Sequence, residues 1–178
     1  ETIPGTTRFL LQRHTGGDEW FQLYTMGLTG EPVALTERGT RNQAYSFSKD
    51  GRLLAWPRAV KGSPDYAIPT ADAANPASRR VAYQGKGAIG VADISTNKGR
   101  VLLERNISNR ETRLALLDLA TGQAAELPWT SDPARYEEAG FTPDGKGVIA
   151  ITDYQSDYRR LVEIDLASGK RTVLTPAL

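Results

Sequence analysis

The sequence contains no cysteine. Disulfides, thiolate nucleophiles and zinc–thiolate sites are excluded together. It holds one histidine, His14, so a histidine-based triad has a single candidate base. No Gly-x-Ser-x-Gly occurs, so the nucleophile elbow of an α/β-hydrolase is missing. No apolar run approaches the ~20 residues of a membrane helix, and no signal peptide is apparent. The chain begins at Glu1 rather than Met, which reads as the loss of an upstream segment. The formal net charge of +1 supplies no overall field for nucleic acid or an anionic membrane. No cofactor is expected.

What the 178 residues do contain is a repeat. Tyr45-Ser46-Phe47-Ser48-Lys49-Asp50-Gly51-Arg52-Leu53-Leu54-Ala55-Trp56 returns as Ala139-Gly140-Phe141-Thr142-Pro143-Asp144-Gly145-Lys146-Gly147-Val148-Ile149-Ala150. A weaker copy, Asp93-Ile94-Ser95-Thr96-Asn97-Lys98-Gly99-Arg100-Val101-Leu102-Leu103, lies between them. With Gly51, Gly99 and Gly145 as turn glycines, the steps are 48 and 46 residues. A second marker is interleaved. Leu116-Leu117-Asp118-Leu119-Ala120-Thr121-Gly122 recurs as Glu163-Ile164-Asp165-Leu166-Ala167-Ser168-Gly169, with an earlier copy ending at Gly30 and a degenerate one at Thr70-Ala71-Asp72-Ala73-Ala74-Asn75. Its turn positions 30, 75, 122 and 169 are 45, 47 and 47 apart.

Both markers are hairpins. The glycines supply positive φ between apolar runs, and Asn75 is the nearest substitute for one. The Asp three residues before Thr or Ser is placed to cap the turn amides. Residues 109–120 alone could pass for a helix, but the copies of this segment elsewhere are strand-like. Two hairpins per period give four strands in a unit of 40–50 residues, the signature of a propeller blade. The expectation is an all-β chain, a β-propeller with four-stranded antiparallel blades of WD40-like or TolB-like type, about four of them in an incomplete ring. A partial blade spans residues 1–36, beginning at its second strand, and fuller blades span about 43–83, 89–128 and 136–175. Open blade faces would be apolar and would favour self-association.

Three stretches resemble the propeller blades of bacterial prolyl oligopeptidase family serine peptidases, including their acylaminoacyl and dipeptidyl peptidase members. They are Gly17-Asp18-Glu19-Trp20-Phe21-Gln22-Leu23-Tyr24 with Leu28-Thr29-Gly30-Glu31-Pro32-Val33-Ala34-Leu35-Thr36, then Phe141-Thr142-Pro143-Asp144-Gly145-Lys146, and Ser156-Asp157-Tyr158-Arg159-Arg160-Leu161 running on to Lys170. The likeness covers residues 9–176, and TolB-like periplasmic propellers share the blade motif. It implies a non-catalytic segment that gates and selects peptide substrates for an α/β-hydrolase domain. That domain and the remaining blades would be its partners within the parent chain. The triad positions lie outside the matching region, so no catalytic residue is carried over. A TolB-like scaffold for protein–protein interaction is the alternative, and a propeller enzyme with a loop-built site is a third reading. A bacterial source implies the periplasm or the cytoplasm, with the periplasm favoured.

The candidate channel residues are Glu137, Glu138 and Arg135. They stand just before and within the strand that opens the last blade, aligned at 137 and 138 with Gln43 and Ala44. Opening strands line a propeller's channel. Dipeptidyl-peptidase members hold the substrate amino terminus with a propeller Glu pair, but this pair does not match their motif. Asp93, Ser95, Asn97 and Glu104 fall at calcium-loop positions, yet the glycine is one place late, so a hairpin turn is preferred. His14 reads as an exposed loop residue, and Asn106-Ile107-Ser108 as a chance glycosylation tripeptide. Trp20, Phe21, Trp56, Tyr83, Trp129, Tyr154 and Tyr158 read as blade packing. Arg79-Arg80 and Arg159-Arg160 are too short for a polybasic signal.

Overall fold

A computed structural model describes residues 1–14 and 16–175. Seventeen strands form four antiparallel sheets, with no α-helix among the described residues. The chain divides into two compact units, Glu1–Val91 and Ala92–Leu178.

The first sheet is a meander of β1 (Phe9–Arg13), β2 (Gln22–Met26) and β3 (Val33–Ala34). Contrary to the expectation that this blade starts at its second strand, residues ahead of β1 already pair with it. Thr2 bridges Phe9, the Leu10 N–H donates to the Glu1 carbonyl at 2.9 Å, and the Ile3 N–H donates to the Arg8 carbonyl at 2.9 Å. The end of an inner strand is therefore present, joined to β1 by a Pro4-Gly5 turn. Without Asp-Gly, and with three residues before the turn, this copy carries no readable motif.

The second sheet has six strands: β4 (Thr40–Asn42), β5 (Ser46–Phe47), β6 (Leu53–Ala55), β7 (Arg58–Val60), β8 (Tyr66–Asp72) and β9 (Asn75–Gly85). It is a four-stranded blade whose two inner strands are broken. Strands β6 and β7 both pair with β8 and are separated by Trp56 and Pro57, where proline removes a ladder donor. Strands β4 and β5 pair with β7 and β6 respectively and are separated at Ala44, whose φ is 53°. The third sheet, β10 (Ile89–Ile94), β11 (Arg100–Ser108), β12 (Glu111–Asp118) and β13 (Ala124–Glu126), is an uninterrupted meander. So is the fourth, β14 (Tyr136–Phe141), β15 (Gly147–Thr152), β16 (Arg160–Asp165) and β17 (Arg171–Val173). Residues 111–118 are strand β12, as the repeat required and the local propensity did not.

One turn recurs four times. The N–H of Ile3, Ser48, Ser95 and Thr142 donates to the carbonyl five residues on, and each carbonyl accepts from the N–H three residues on. In the last three copies the hydroxyl accepts from the returning strand's N–H at 2.9 Å and donates to an Asp or Asn two residues on. The left-handed position is Gly51, Lys98 and Gly145. The sequence alignment on Gly99 is thus off by one: Lys98 takes the positive φ, and the steps become 47 and 47. The second hairpin behaves as expected at Asp118 and Asp165, whose carboxylates accept from the Thr121 and Ser168 N–H groups at 2.8 Å. The degenerate copy does not. Asn75 is not left-handed but opens β9, paired with Asp72, across a two-residue Ala73-Ala74 turn.

In the first unit Ile3, Leu10, Leu23, Leu35, Leu54 and Trp56 form the core between the sheets. In the second, Leu102, Leu114, Tyr136, Phe141, Val148 and Ile164 do so. Each such aliphatic burial contributes about 1.5–3 kcal/mol before entropy is subtracted. Polar groups that enter these cores are satisfied. Asn42, fully buried, donates to the Phe21 carbonyl and the Thr40 hydroxyl and accepts from the Trp56 indole at 3.0 Å. Gln22 accepts from the Thr36 hydroxyl at 2.8 Å and donates to the Thr40 carbonyl at 2.5 Å.

Candidate functional site

Strand β14 begins with a side-chain alternation that puts positions 135 and 137 on one face. The Arg135 guanidinium accordingly reaches the Glu137 carboxylate at 3.1 Å. The other Glu137 oxygen receives Arg159 at 2.8 Å, from the residue preceding β16. Glu137 is half-buried between the two cations, while Glu138 is exposed. Glu138 has φ 50° and sits where the β14–β15 register slips between Glu137 and Gly140. Two consecutive residues of an unbroken strand would point to opposite faces, and this bulge lets the strand re-aim them. Ala44, its counterpart two blades earlier, has the same left-handed backbone. The left-handed backbone thus occurs in two of the blades with different side chains, and the intervening strand β10 runs through the same position without it.

Sequence reasoning missed two members of this group. In the sequence Arg159 reads as half of a basic pair within the 156–161 stretch, with no tie to Glu137. Glu104, on β11, is half-buried, and burial pushes its carboxyl above the ordinary range; Arg135 opposes the shift while Glu137 and Glu138 add to it. Arg135 also donates weakly, at 3.4 Å, to the Asn106 side chain and the Ser108 carbonyl at the end of β11. Five ionisable groups, on or just before β11, β14 and β16, thus share one patch, with Asn106 of the glycosylation tripeptide at its margin.

The remaining candidates are occupied by structure. Asp93 accepts from the Ile94 N–H at 2.7 Å and the Phe141 N–H at 2.8 Å, tying β10 to β14. Ser95 and Asn97 close their hairpin. Glu104 faces the β14 charges. His14 is exposed, accepts from the Gly17 N–H at Nδ1 and packs edge-on against Phe21. Among the aromatics, Trp56 is fully buried and Trp129 packs against Tyr136, but Tyr158 is 77% exposed and does not pack as expected. Arg171 stacks 3.6 Å from the Tyr154 ring centre and donates to the Tyr136 hydroxyl at 3.0 Å. Arg79, from the other basic pair, reaches Glu37 at 2.6 Å.

No protein-family description matches the chain. No curated protein matches it either. Solved structures do. TolB from Acinetobacter baumannii aligns over 96% of this chain and 42% of its own, with a TM-score of 0.71 and 22% identity. A putative TolB from Agrobacterium tumefaciens aligns over 89% and 56%, at 0.67 and 17%. A prolyl endopeptidase aligns over 98% and 36%, at 0.51 and 13%. The chain spans less than two thirds of each. At these identities the likeness concerns architecture alone, and it agrees with the four antiparallel sheets and their 47-residue turn period: the fold is a β-propeller with TolB-like blades.

Proposed function

We propose that this chain is a non-catalytic recognition segment of a larger propeller, and that it binds the amino-terminal end of an extended peptide beside β14. The observation that carries this is the exposed Glu138 next to a Glu137 clamped by Arg135 and Arg159, with half-buried Glu104 behind them. Three carboxylates against two guanidiniums leave a negative surplus at a strand that opens its blade. An ammonium group is the complementary ligand, and clamping Glu137 holds the acidic edge in place before binding. The chain's one histidine is engaged with its own loop, which supports a binding role over a catalytic one.

Calorimetry with a hexapeptide bearing a free amino terminus, and with its acetylated form, tests the reading. The free form is expected to bind about tenfold more tightly, a difference of ~1.4 kcal/mol. Joint Glu137→Gln and Glu138→Gln replacement should erase that preference. Equal affinity for both peptides in the unaltered chain would defeat the assignment.

A second reading keeps the same site and places it in a prolyl oligopeptidase-type peptidase, where the propeller admits and orients substrate for a hydrolase domain elsewhere in the parent. The residue that favours it is Arg159, because it belongs to the 156–161 stretch that resembles that family. In that parent, the double replacement lowers kcat/KM for peptides with free amino termini and spares blocked ones. A parent without a Gly-x-Ser-x-Gly elbow excludes this reading and leaves a TolB-like scaffold that docks protein partners.

A further inference from the structure

The first unit has a cleft that the site on β14 does not involve. It lies between the segment following β3 and the outer strand β9, and encloses about 220 Å³. Its floor is Trp56 and Pro69, and Val81, 54% exposed, forms an apolar wall. Two guanidiniums enter it on either side of one carboxylate. Arg58 Nη2 lies 2.7 Å from Glu37 Oε1, and Arg79 Nη1 lies 2.6 Å from Glu37 Oε2. Arg79 is held again by donating to the Leu35 carbonyl at 3.1 Å. Behind the floor, the buried Gln22–Thr36–Asn42–Trp56 hydrogen bonds fix the walls.

Each arginine has five N–H donors, so one carboxylate shared between two leaves donors and one positive charge facing the cleft. Glu37 thus acts as an internal occupant that keeps both forks oriented. Among the described residues strand β9 pairs only with β8, which leaves its other edge for an extended chain to lie along. A second recess of about 500 Å³ continues the cleft along Val33, Ala34 and Pro76 and shares Thr36, Glu37 and Arg79 with it. The combination is a small charged socket beside an apolar track on a strand edge.

We propose that this cleft binds an acidic, extended segment of a protein partner, one carboxylate side chain entering between Arg58 and Arg79 while apolar neighbours lie over Val81 and Val33. Charge complementarity selects the acidic segment, and the apolar track selects a peptide over a free anion. This inference does not depend on the reading of β14, which concerns an ammonium group in the other unit.

The test is fluorescence anisotropy with a labelled Leu-Ser-Asp-Ser-Leu peptide, whose acidic and apolar side chains share one face of an extended chain, and its Leu-Ser-Asn-Ser-Leu counterpart. The aspartate peptide should bind, with affinity falling as salt rises, and the asparagine peptide should bind at least tenfold more weakly. Arg58→Gln and Arg79→Gln should each weaken the aspartate peptide about tenfold. Glu37→Gln should strengthen it several-fold by removing the internal competitor, a gain that a purely structural ion pair would not give. Equal binding of both peptides, no binding to either the unaltered chain or the Glu37→Gln variant, or unchanged affinity across all variants would overturn the proposal. Succinate competing at the peptide's own affinity would overturn it as well, since the cleft would then be a small-anion site.

Discussion

Lys98 shows how a single residue carries the turn and conceals it. Its φ of 56° is the left-handed value that Gly51 and Gly145 adopt in the equivalent turns. A side chain there costs roughly 1–2 kcal/mol, partly recovered because lysine has less backbone entropy to lose than glycine. Lys98→Gly should therefore stabilise the chain by about 0.5–1 kcal/mol, seen as a higher urea midpoint at unchanged slope. Gly51→Ala should do the opposite. A Cβ there would stand 1.9 Å from the Pro4 carbonyl oxygen, which is backbone and cannot turn away. A loss of about 2–4 kcal/mol is expected in the same titration. The capping aspartates Asp118 and Asp165 were legible because their carboxylates act within a few residues. The register of the Lys98 turn was not, because Gly99 next door invites a glycine-to-glycine match. The hydroxyl of Ser95, not the glycine, marks the turn, and a hydroxyl is too common a residue to read as a marker.

At the scale of elements, the sheets of the second unit are fastened by a few polar contacts between strands of neighbouring blades. Buried Thr112 on β12 accepts from the Tyr136 N–H at 2.7 Å and donates to the Tyr136 carbonyl at 3.2 Å. Thr112→Val keeps the shape and orphans a buried amide, so a loss of about 1–3 kcal/mol is expected in thermal or urea unfolding. Thr112→Ser should restore most of it; a valine variant as stable as the parent would show the contact to be dispensable. Strand number and order followed from the repeat, because four strands per period is a topological consequence of two hairpins. The breaks in the second blade did not. Pro57 signals one of them locally, whereas Ala44 adopts its left-handed backbone with a residue that carries no such preference. The candidate site divides in the same way. Arg135 and Glu137 are two apart on a strand, and their meeting is a matter of alternation. Arg159 arrives from two strands along the same sheet and Glu104 from the neighbouring sheet, so strand pairing brings one there and the packing of sheets the other.

Across the whole molecule, acid acts on the turns of the second unit and alkali on buried phenols of both units. Asp118, Asp144 and Asp165 are all in the second unit, and their carboxyls lie below the ordinary range. Hydrogen bonds from Thr121, Thr142 and Ser168 are the main cause in turn. A depressed folded value means that this stabilisation is present above the unfolded value of 3.8 and is lost as pH falls through the folded one. Tyr45 is in the first unit, and burial, assisted by Glu1, pushes its phenol up to about 12 from 10.0. That stabilisation is complete below 10.0 and disappears as pH rises toward 12. In the second unit burial likewise raises the Tyr136 phenol, with Arg171 opposing it. Residue-resolved amide exchange should show protection at the Asp118, Asp144 and Asp165 turns of the second unit failing first on acidification, and protection around Tyr45 and Tyr136 failing in both units on alkalinisation. Asp165→Asn should flatten the acid limb and Tyr45→Phe the alkaline limb of the first unit; acid failure that begins in the first unit would refute the assignment. The backbone kink shared by Ala44 and Glu138 has its own corollary. Since a methyl group serves as well as a carboxylate at the same geometry, the architecture sets no requirement on what projects there. Mutation can rewrite the charge carried at that point, from neutral to anionic and back, while the backbone keeps its kink.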